Sequence, residues 1–318
     1  MTIALAVHGL RKAYGSRVAL DGLDLEVPTG TVYGFLGPNG AGKTTTMRLL
    51  VGLIRPDAGT LEVLGRPYTW HDRHRLFDVG ALIEAPSFYP FLSGRENLRA
   101  AAASGAPVPR GRVDELLGLV GLRDRAGDKV GGYSLGMRQR LGIAAALLSD
   151  PSLLLLDEPA NGLDPGGIVG MRDTLRQLAA AGKTVFVSSH ILPEVQQLAD
   201  VVGIVASGRL VREGRVDELL ASSAVVRARV GADEAPAAQA AAAARFGAEA
   251  VGVTAGGDGT WLEVRTDGSR SAELNQVLAQ AGVYVSRLEP GSDLESLFLE
   301  LTGGGSANGG GLGIGGVA

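Results

Sequence analysis

The segment Gly37-Pro38-Asn39-Gly40-Ala41-Gly42-Lys43-Thr44, followed by Thr45, constrains this chain more than any other stretch. It fits the pattern G-x-x-x-x-G-K-[ST] and stands between an apolar run at 31–36 and a stretch at 44–53 with helical spacing. A glycine loop between strand and helix curls so that successive amides point inward, and the helix adds its positive end. Such a loop cradles phosphate. Lys43 is placed to reach the outer phosphates of a nucleotide, and Thr44 to hold magnesium through its hydroxyl.

The surrounding pattern implies an α/β fold. Short apolar runs at 3–7, 17–20 and 23–27 alternate with turn residues, while 153–156 and 184–187 are fully apolar, as strands buried on both faces of a parallel sheet are. Between them, 93–118 and 135–148 read as helices joined by the glycine-rich stretch 127–132, which marks a helical insertion. After about residue 220 the composition shifts. An alanine-dominated helix at 235–244 and alternating strands at 225–230, 260–265 and 282–288 predict a small α+β domain over 223–302. From 303 to 318 the tail is glycine-rich with almost no bulky side chains, and it is expected to be disordered.

Composition removes several classes of function. With 45% hydrophobic and 20% charged residues over 318 positions, the chain is not disordered as a whole. Thirty basic against 34 acidic residues give no global attraction to nucleic acid or anionic lipid. No cysteine is present, so thiolate catalysis and thiolate-bound metals are excluded, and four scattered histidines do not supply a histidine-built metal centre. A membrane span needs about 18 consecutive apolar residues. The best runs, 141–148 and 153–156, are cut by Ser149, Asp150 and Asp157. Residues 1–10 lack a basic leader and a cleavage site, which predicts a cytosolic address.

A second chemical site follows the strand at 153–156. Asp157 is placed to steer magnesium, and Glu158 to orient and deprotonate an attacking water, although a solvated loop could carry the same adjacent carboxylates. With both sites in view, residues 1 to about 217 resemble the ATP-hydrolysing subunit of an ATP-binding cassette (ABC) transporter. The resemblance implies a P-loop NTPase of ABC type: a parallel core sheet, an antiparallel β subdomain and a helical subdomain at about 88–150. It implies ATP and Mg2+ as cofactors, with Gly37, Pro38, Asn39, Gly40, Ala41, Gly42, Lys43, Thr44 and Thr45 on the phosphates. The stretch 160–165, Ala-Asn-Gly-Leu-Asp-Pro, resembles the loop that contacts the opposite subunit. Ser188-Ser189-His190 resembles the switch histidine, so His190 would bond the terminal phosphate and position Glu158; a satisfied strand-end histidine is the alternative. Tyr14 resembles the aromatic on which adenine stacks, against the reading of a strand-packing tyrosine.

Two elements depart from the family pattern. The usual Leu-Ser-Gly-Gly-Gln stands here as Tyr133-Ser134-Leu135-Gly136-Met137. By resemblance, Ser134 and Gly136 clamp the γ-phosphate of a nucleotide bound to the other subunit; as a plain local reading, Ser134 caps a helix. Leucine in place of the first glycine demands an ordinary backbone there, and Met137 removes the polar glutamine end, which together are expected to weaken closure or turnover. The glutamine that normally senses the γ-phosphate is Glu84, which can coordinate magnesium or water but cannot donate as an amide does; a solvated glutamate without a metal role is the other reading. Glu84, Tyr89-Pro90, 94–98 and 134–137 together resemble the exporter branch linked to lantibiotic, bacitracin and daunorubicin-type self-protection.

A cassette exposes its nucleotide on one side, so the resemblance implies a head-to-tail dimer, either of two copies or with a paralogous cassette. It also implies a separate integral membrane permease docked near Glu84 and 88–91, and a peripheral place on the cytoplasmic face of the cell membrane. The function that follows is the ATPase motor of an exporter for a drug, peptide antibiotic or lipid-like compound. An import ATPase usually carries the glutamine that Glu84 replaces, and the altered 134–137 stretch raises a nucleotide-gated non-transport regulator as another alternative. Soluble cassette ATPases acting on nucleic acid generally join two cassettes or insert a coiled coil, and this chain has one cassette and no heptad run, so no nucleic acid is expected.

Overall fold

A computed structural model describes residues 2–105, 107–222, 224–256 and 259–290, with 294, 297 and 298. The chain divides into two compact units, Met1–Arg215 and Val216–Ala318. The tail expected to be disordered, 303–318, lies outside the described residues.

The first unit opens with strands β1 (Ile3–Tyr14) and β2 (Arg17–Pro28), an antiparallel pair turning at Gly15 with φ 60°. Strand β3 (Val32–Leu36) is wholly buried and leads through the glycine loop into helix α1 (Lys43–Leu50). Strands β4 (Ala58–Val63) and β5 (Arg66–Tyr68) complete a four-stranded antiparallel sheet, in the order β2-β1-β4-β5. Strand β6 (Val79–Leu82) is followed by helices α2 (Gly94–Ser104), α3 (Arg112–Leu119) and α4 (Leu135–Ala146). Then come β7 (Leu153–Asp157), α5 (Pro165–Ala180), β8 (Thr184–Ser189), α6 (Leu192–Leu198), β9 (Val201–Ala206) and β10 (Arg209–Arg215).

These strands form a six-stranded sheet, ordered β10-β9-β3-β8-β7-β6, in which all neighbours are parallel except β10 on β9. Parallel pairing sends the loops after β3, β6, β7 and β8 to one edge, where open α/β sheets place their ligands. Beneath that edge the strands are held by aromatic rings. Tyr33 and Phe186 stack at 5.3 Å with planes 6° apart, and Phe35 packs on the same Phe186 at 5.4 Å. All three rings are fully buried.

The stretch 93–118 is two helices rather than one. α2 begins with a capping box, in which Ser93 accepts from the Glu96 amide and Glu96 accepts from the Ser93 amide. It ends at Ser104, ahead of Pro107 and Pro109, which cannot donate to a helical ladder.

The second unit contains α7 (Val216–Ser222), β11 (Val225–Val230), α8 (Ala235–Phe246), β12 (Val251–Gly256), β13 (Gly259–Arg265), α9 (Ser271–Gln280) and β14 (Arg287–Pro290). Its sheet is antiparallel in the order β12-β13-β11-β14, the ferredoxin-like split βαβ arrangement. Ala238 and Ala242 of α8 and Leu274 and Leu278 of α9 bury against Val226, Ala228, Leu262 and Val264. The strand expected over 282–288 starts only at Arg287 and runs on to Pro290; its first expected residue, Gly282, at φ 77°, instead closes α9.

Candidate active site

The glycine loop owes its shape to two left-handed positions, Gly40 at φ 84° and Gly42 at φ 107°. Gly42 has no room for a side chain: a Cβ there would stand 2.6 Å from Leu20 Cδ2 and 2.7 Å from the Ala19 carbonyl oxygen. Helix α1 therefore starts with its amide end facing the loop, where the first turn has no intrahelical partners. Lys43, only 7% exposed, folds back along the loop and donates to the carbonyls of Gly37 at 2.8 Å and Pro38 at 3.4 Å.

Asp157 closes β7 and is 4% exposed. It accepts from Thr44 Oγ1 at 2.8 Å and from Ser188 Oγ, so both its oxygens are fixed. Ser188 pairs with Asp157 in the parallel register of β7 and β8, and its hydroxyl also accepts from the Glu158 amide at 3.1 Å. Glu158 has a left-handed backbone, φ 49°. Its two carboxylate oxygens divide between Lys43, at 3.3 Å, and His190 Nδ1, at 2.8 Å. Three loops from β3, β7 and β8 thus converge on one carboxylate.

Lys43, Glu158 and His190 line a cleft of about 480 Å3 together with Tyr14, Asn39, Gly40, Gly42, Thr44 and Thr45, and Asp157 reaches it through its bond to Thr44. The cleft also contains Arg17 and Asn161, which sequence reasoning did not single out as site residues. Neither belongs to a phosphate-loop pattern, and only the fold brings them in. Tyr14 is 46% exposed on the rim, with Lys12 Nζ 5.6 Å from its ring centroid. Asp57 secures this edge by accepting from Lys12 Nζ at 2.9 Å and from the Ala13 amide at 2.7 Å. Those contacts hold the Asp57 carboxyl below its ordinary value, Lys12 contributing most.

Ser134, Gly136 and Glu84 do not line this cleft. Ser134 caps α4 by accepting from the Met137 amide at 3.2 Å. Glu84, two residues beyond β6, also has a left-handed backbone and is paired with Arg48 of α1. Its carboxylate is thereby engaged by a cation. Close by in sequence, Tyr89 and Phe91 are exposed and pack on each other at 5.8 Å. A groove of about 550 Å3 includes Leu82, Pro86, Phe88, Tyr89 and Asn97.

The oxygens of Thr44 and Asp157 are hard donors of the kind a magnesium ion takes. Among the described residues no group of three or more His, Cys, Asp or Glu side chains is assembled for a metal. A divalent ion here would complete its shell with phosphate and water oxygens, which is how Mg2+ is bound beside nucleotides. The residues present fit that ion.

Among the described residues no helix is long and apolar enough to cross a membrane. A family model described as ABC transporter matches residues 20–161. The chain is 46% identical over 220 residues to the bacitracin transport ATP-binding protein BcrA of Bacillus licheniformis, covering 69% of this chain and 72% of that one. It is 44% identical over 223 residues to the daunorubicin resistance ATP-binding protein DrrA3 of Streptomyces coeruleorubidus, covering 69% and 71%. The solved structure of cbiO1 from Clostridium perfringens, part of the ABC transporter complex cbiONQ, is similar at a TM-score of 0.63 with 26% identity, covering 70% of this chain and 92% of that one. With its phosphate loop, paired carboxylates and histidine converging on one edge of a parallel sheet, this chain belongs to the ABC transporter family as one of its ATP-binding subunits.

Proposed function

We propose that the chain hydrolyses MgATP to drive export of a drug, peptide antibiotic or lipid-like compound through a separate membrane permease. The observation that carries this reading is Glu158, whose two oxygens are held by Lys43 and His190 directly beside the Thr44–Asp157 pair. The two relatives, a bacitracin transport and a daunorubicin resistance ATP-binding protein, support the antibiotic class of cargo.

Phosphoryl transfer needs positioning and charge stabilisation more than covalent chemistry. The loop amides and Lys43 grip the β- and γ-phosphates, and Tyr14 stacks on adenine. Thr44 and Asp157 would hold Mg2+, which would supply neutralisation of charge on the phosphate oxygens. Glu158 accepts the proton of the attacking water. His190 keeps the Glu158 carboxylate aimed and bonds the terminal phosphate. Since a cassette of this family exposes its bound nucleotide on one side, Ser134 and Gly136 act in trans: the partner subunit's Ser134 donates to the γ-phosphate bound by this chain, in a dimer of two copies or with a paralogous cassette. Glu84 stands two residues beyond β6 of the same sheet, and the groove at Phe88 and Tyr89 that follows it in sequence is the proposed seat of the permease on the cytoplasmic face of the membrane.

The test is Glu158→Gln. Wild type with its permease is expected to hydrolyse ATP steadily. The variant is expected to lose hydrolysis while retaining MgATP and accumulating as a dimer, measured by phosphate release and light scattering. A wild type without affinity for MgATP, or a variant with undiminished turnover, overturns the reading.

A further inference from the structure

Two loops of the cassette interlock through a reciprocal pair of leucines and glycines. Leu135 opens α4 directly after Ser134 and lies over Gly162: a Cβ on Gly162 would stand 2.1 Å from Leu135 Cδ2 and 2.6 Å from its Cγ. Gly162 is also left-handed, at φ 76°, so its backbone is suited to glycine on both counts. In return Leu163 lies against Gly136, where a Cβ would be 3.1 Å from Leu163 Cδ2. Each leucine fills the space that the other loop's glycine leaves.

The second of these loops is tied to the catalytic carboxylate. The Asn161 amide donates to the Glu158 carbonyl at 3.1 Å, the Leu163 amide donates to the Ala160 carbonyl at 3.1 Å, and Asn161 lines the cleft. Close-packed contacts pass on a displacement instead of absorbing it. A shift of Ser134 would press Leu135 on Gly162, and the turn at 160–163 joins Gly162 to Glu158. Leucine at 135 consequently does more than replace a glycine: it adds a side chain that a glycine lacks at the point where the two loops meet.

We propose that Leu135 is a positioning residue through which closure of Ser134 on a nucleotide held by the partner subunit is relayed to Glu158 in this chain's own cleft, so that the two sites of the dimer are coupled. The proposal rests on the head-to-tail dimer put forward above. Leu135 is 49% exposed, so truncating it leaves the core filled.

The experiment compares wild type, Leu135→Ala, Leu163→Ala and Leu135→Met as full-length chains with the permease, measuring hydrolysis against MgATP concentration. Binding of a fluorescent ATP analogue is measured in parallel with each substitution placed in the Glu158→Gln background. Wild type is expected to show a Hill coefficient above 1 and approaching about 2, the number of sites. Both alanine variants are expected to fall to about 1, in binding as in hydrolysis, and Leu135→Met to keep the wild-type value. Thermal melting checks that each variant is folded, and Leu163→Ala probes the same interlock from its other half. Cooperativity absent from wild type, or unchanged in a folded alanine variant, overturns the proposal. If Glu158→Gln forms no MgATP-dependent dimer, the underlying reading fails and this proposal with it. A normal dimer with unchanged cooperativity in the alanine variants removes the interlock alone.

Discussion

Glu84 and Glu158 occupy matching places just beyond the ends of neighbouring strands. Leu82 pairs with Leu156 in parallel register, each glutamate stands two residues beyond its leucine, and each has a left-handed backbone, at φ 64° and 49°. A side-chain-bearing residue in that conformation costs about 1–2 kcal/mol. The cost recurs at two carboxylates on the ligand-binding edge of the sheet. Both meet a cation from α1, Lys43 for Glu158 and Arg48 for Glu84.

The Arg48–Glu84 pair is solvent-exposed and contributes less than about 1 kcal/mol to stability. Arg48→Ala is therefore expected to leave the melting curve nearly unchanged while freeing the Glu84 carboxylate. The magnesium concentration for half-maximal hydrolysis should shift by up to about fivefold, the equivalent of that energy. The check is a double-mutant comparison. Adding Arg48→Ala to Glu84→Gln should change nothing further, and a persisting shift would show that Arg48 acts elsewhere.

Gly42→Ala tests the loop. The substitution puts a Cβ where Leu20 and the Ala19 carbonyl already stand, in a left-handed backbone. Strain and overpacking together should cost about 2 kcal/mol or more, read by urea unfolding, with loss of nucleotide binding read by calorimetry. Normal stability and normal binding would mean that the loop has another accessible shape.

Tyr14→Ala should weaken ATP binding by about 1–3 kcal/mol, since stacking on an aromatic face contributes that much per base. Unaltered affinity would remove Tyr14 from the site and leave it as a packing residue of β1.

Burial pushes the Glu213 carboxyl above its ordinary 4.5, and the Tyr33 hydroxyl that donates to it is raised well above its own ordinary value, chiefly by burial. A folded-state value above the unfolded one means that the folded chain holds this proton longer. The resulting stability is complete below 4.5 and is lost as pH rises through the raised folded value. Glu213→Gln removes the titration. The stability of the variant relative to wild type should therefore climb across that window and then level off, as measured by denaturant unfolding at a series of pH values.

What could be read from the sequence divides along physical lines. The phosphate loop is local, since its glycines, lysine and threonine lie within eight consecutive positions and their spacing encodes their geometry. The strands ending at Asp157 and Ser189 were visible as runs that are apolar on both faces. The role of Ser188 was not visible, because its hydroxyl reaches Asp157 only through the register of two strands distant in sequence. Arg48 on Glu84 and Leu135 on Gly162 are likewise tertiary contacts, with no periodicity to announce them. The end of α2 at Ser104 could have been read from Pro107 and Pro109, whose effect on a helix is local.

Tyr33, Phe35 and Phe186 join β3 to β8 directly below the cleft. The strand that delivers the phosphate loop and the strand that delivers His190 are therefore welded into one plate. A plate of that kind gives the machine a fixed anvil: whatever swings during a cycle of nucleotide capture and release must be hung from its rim, and work reaches the outside through those hung parts alone.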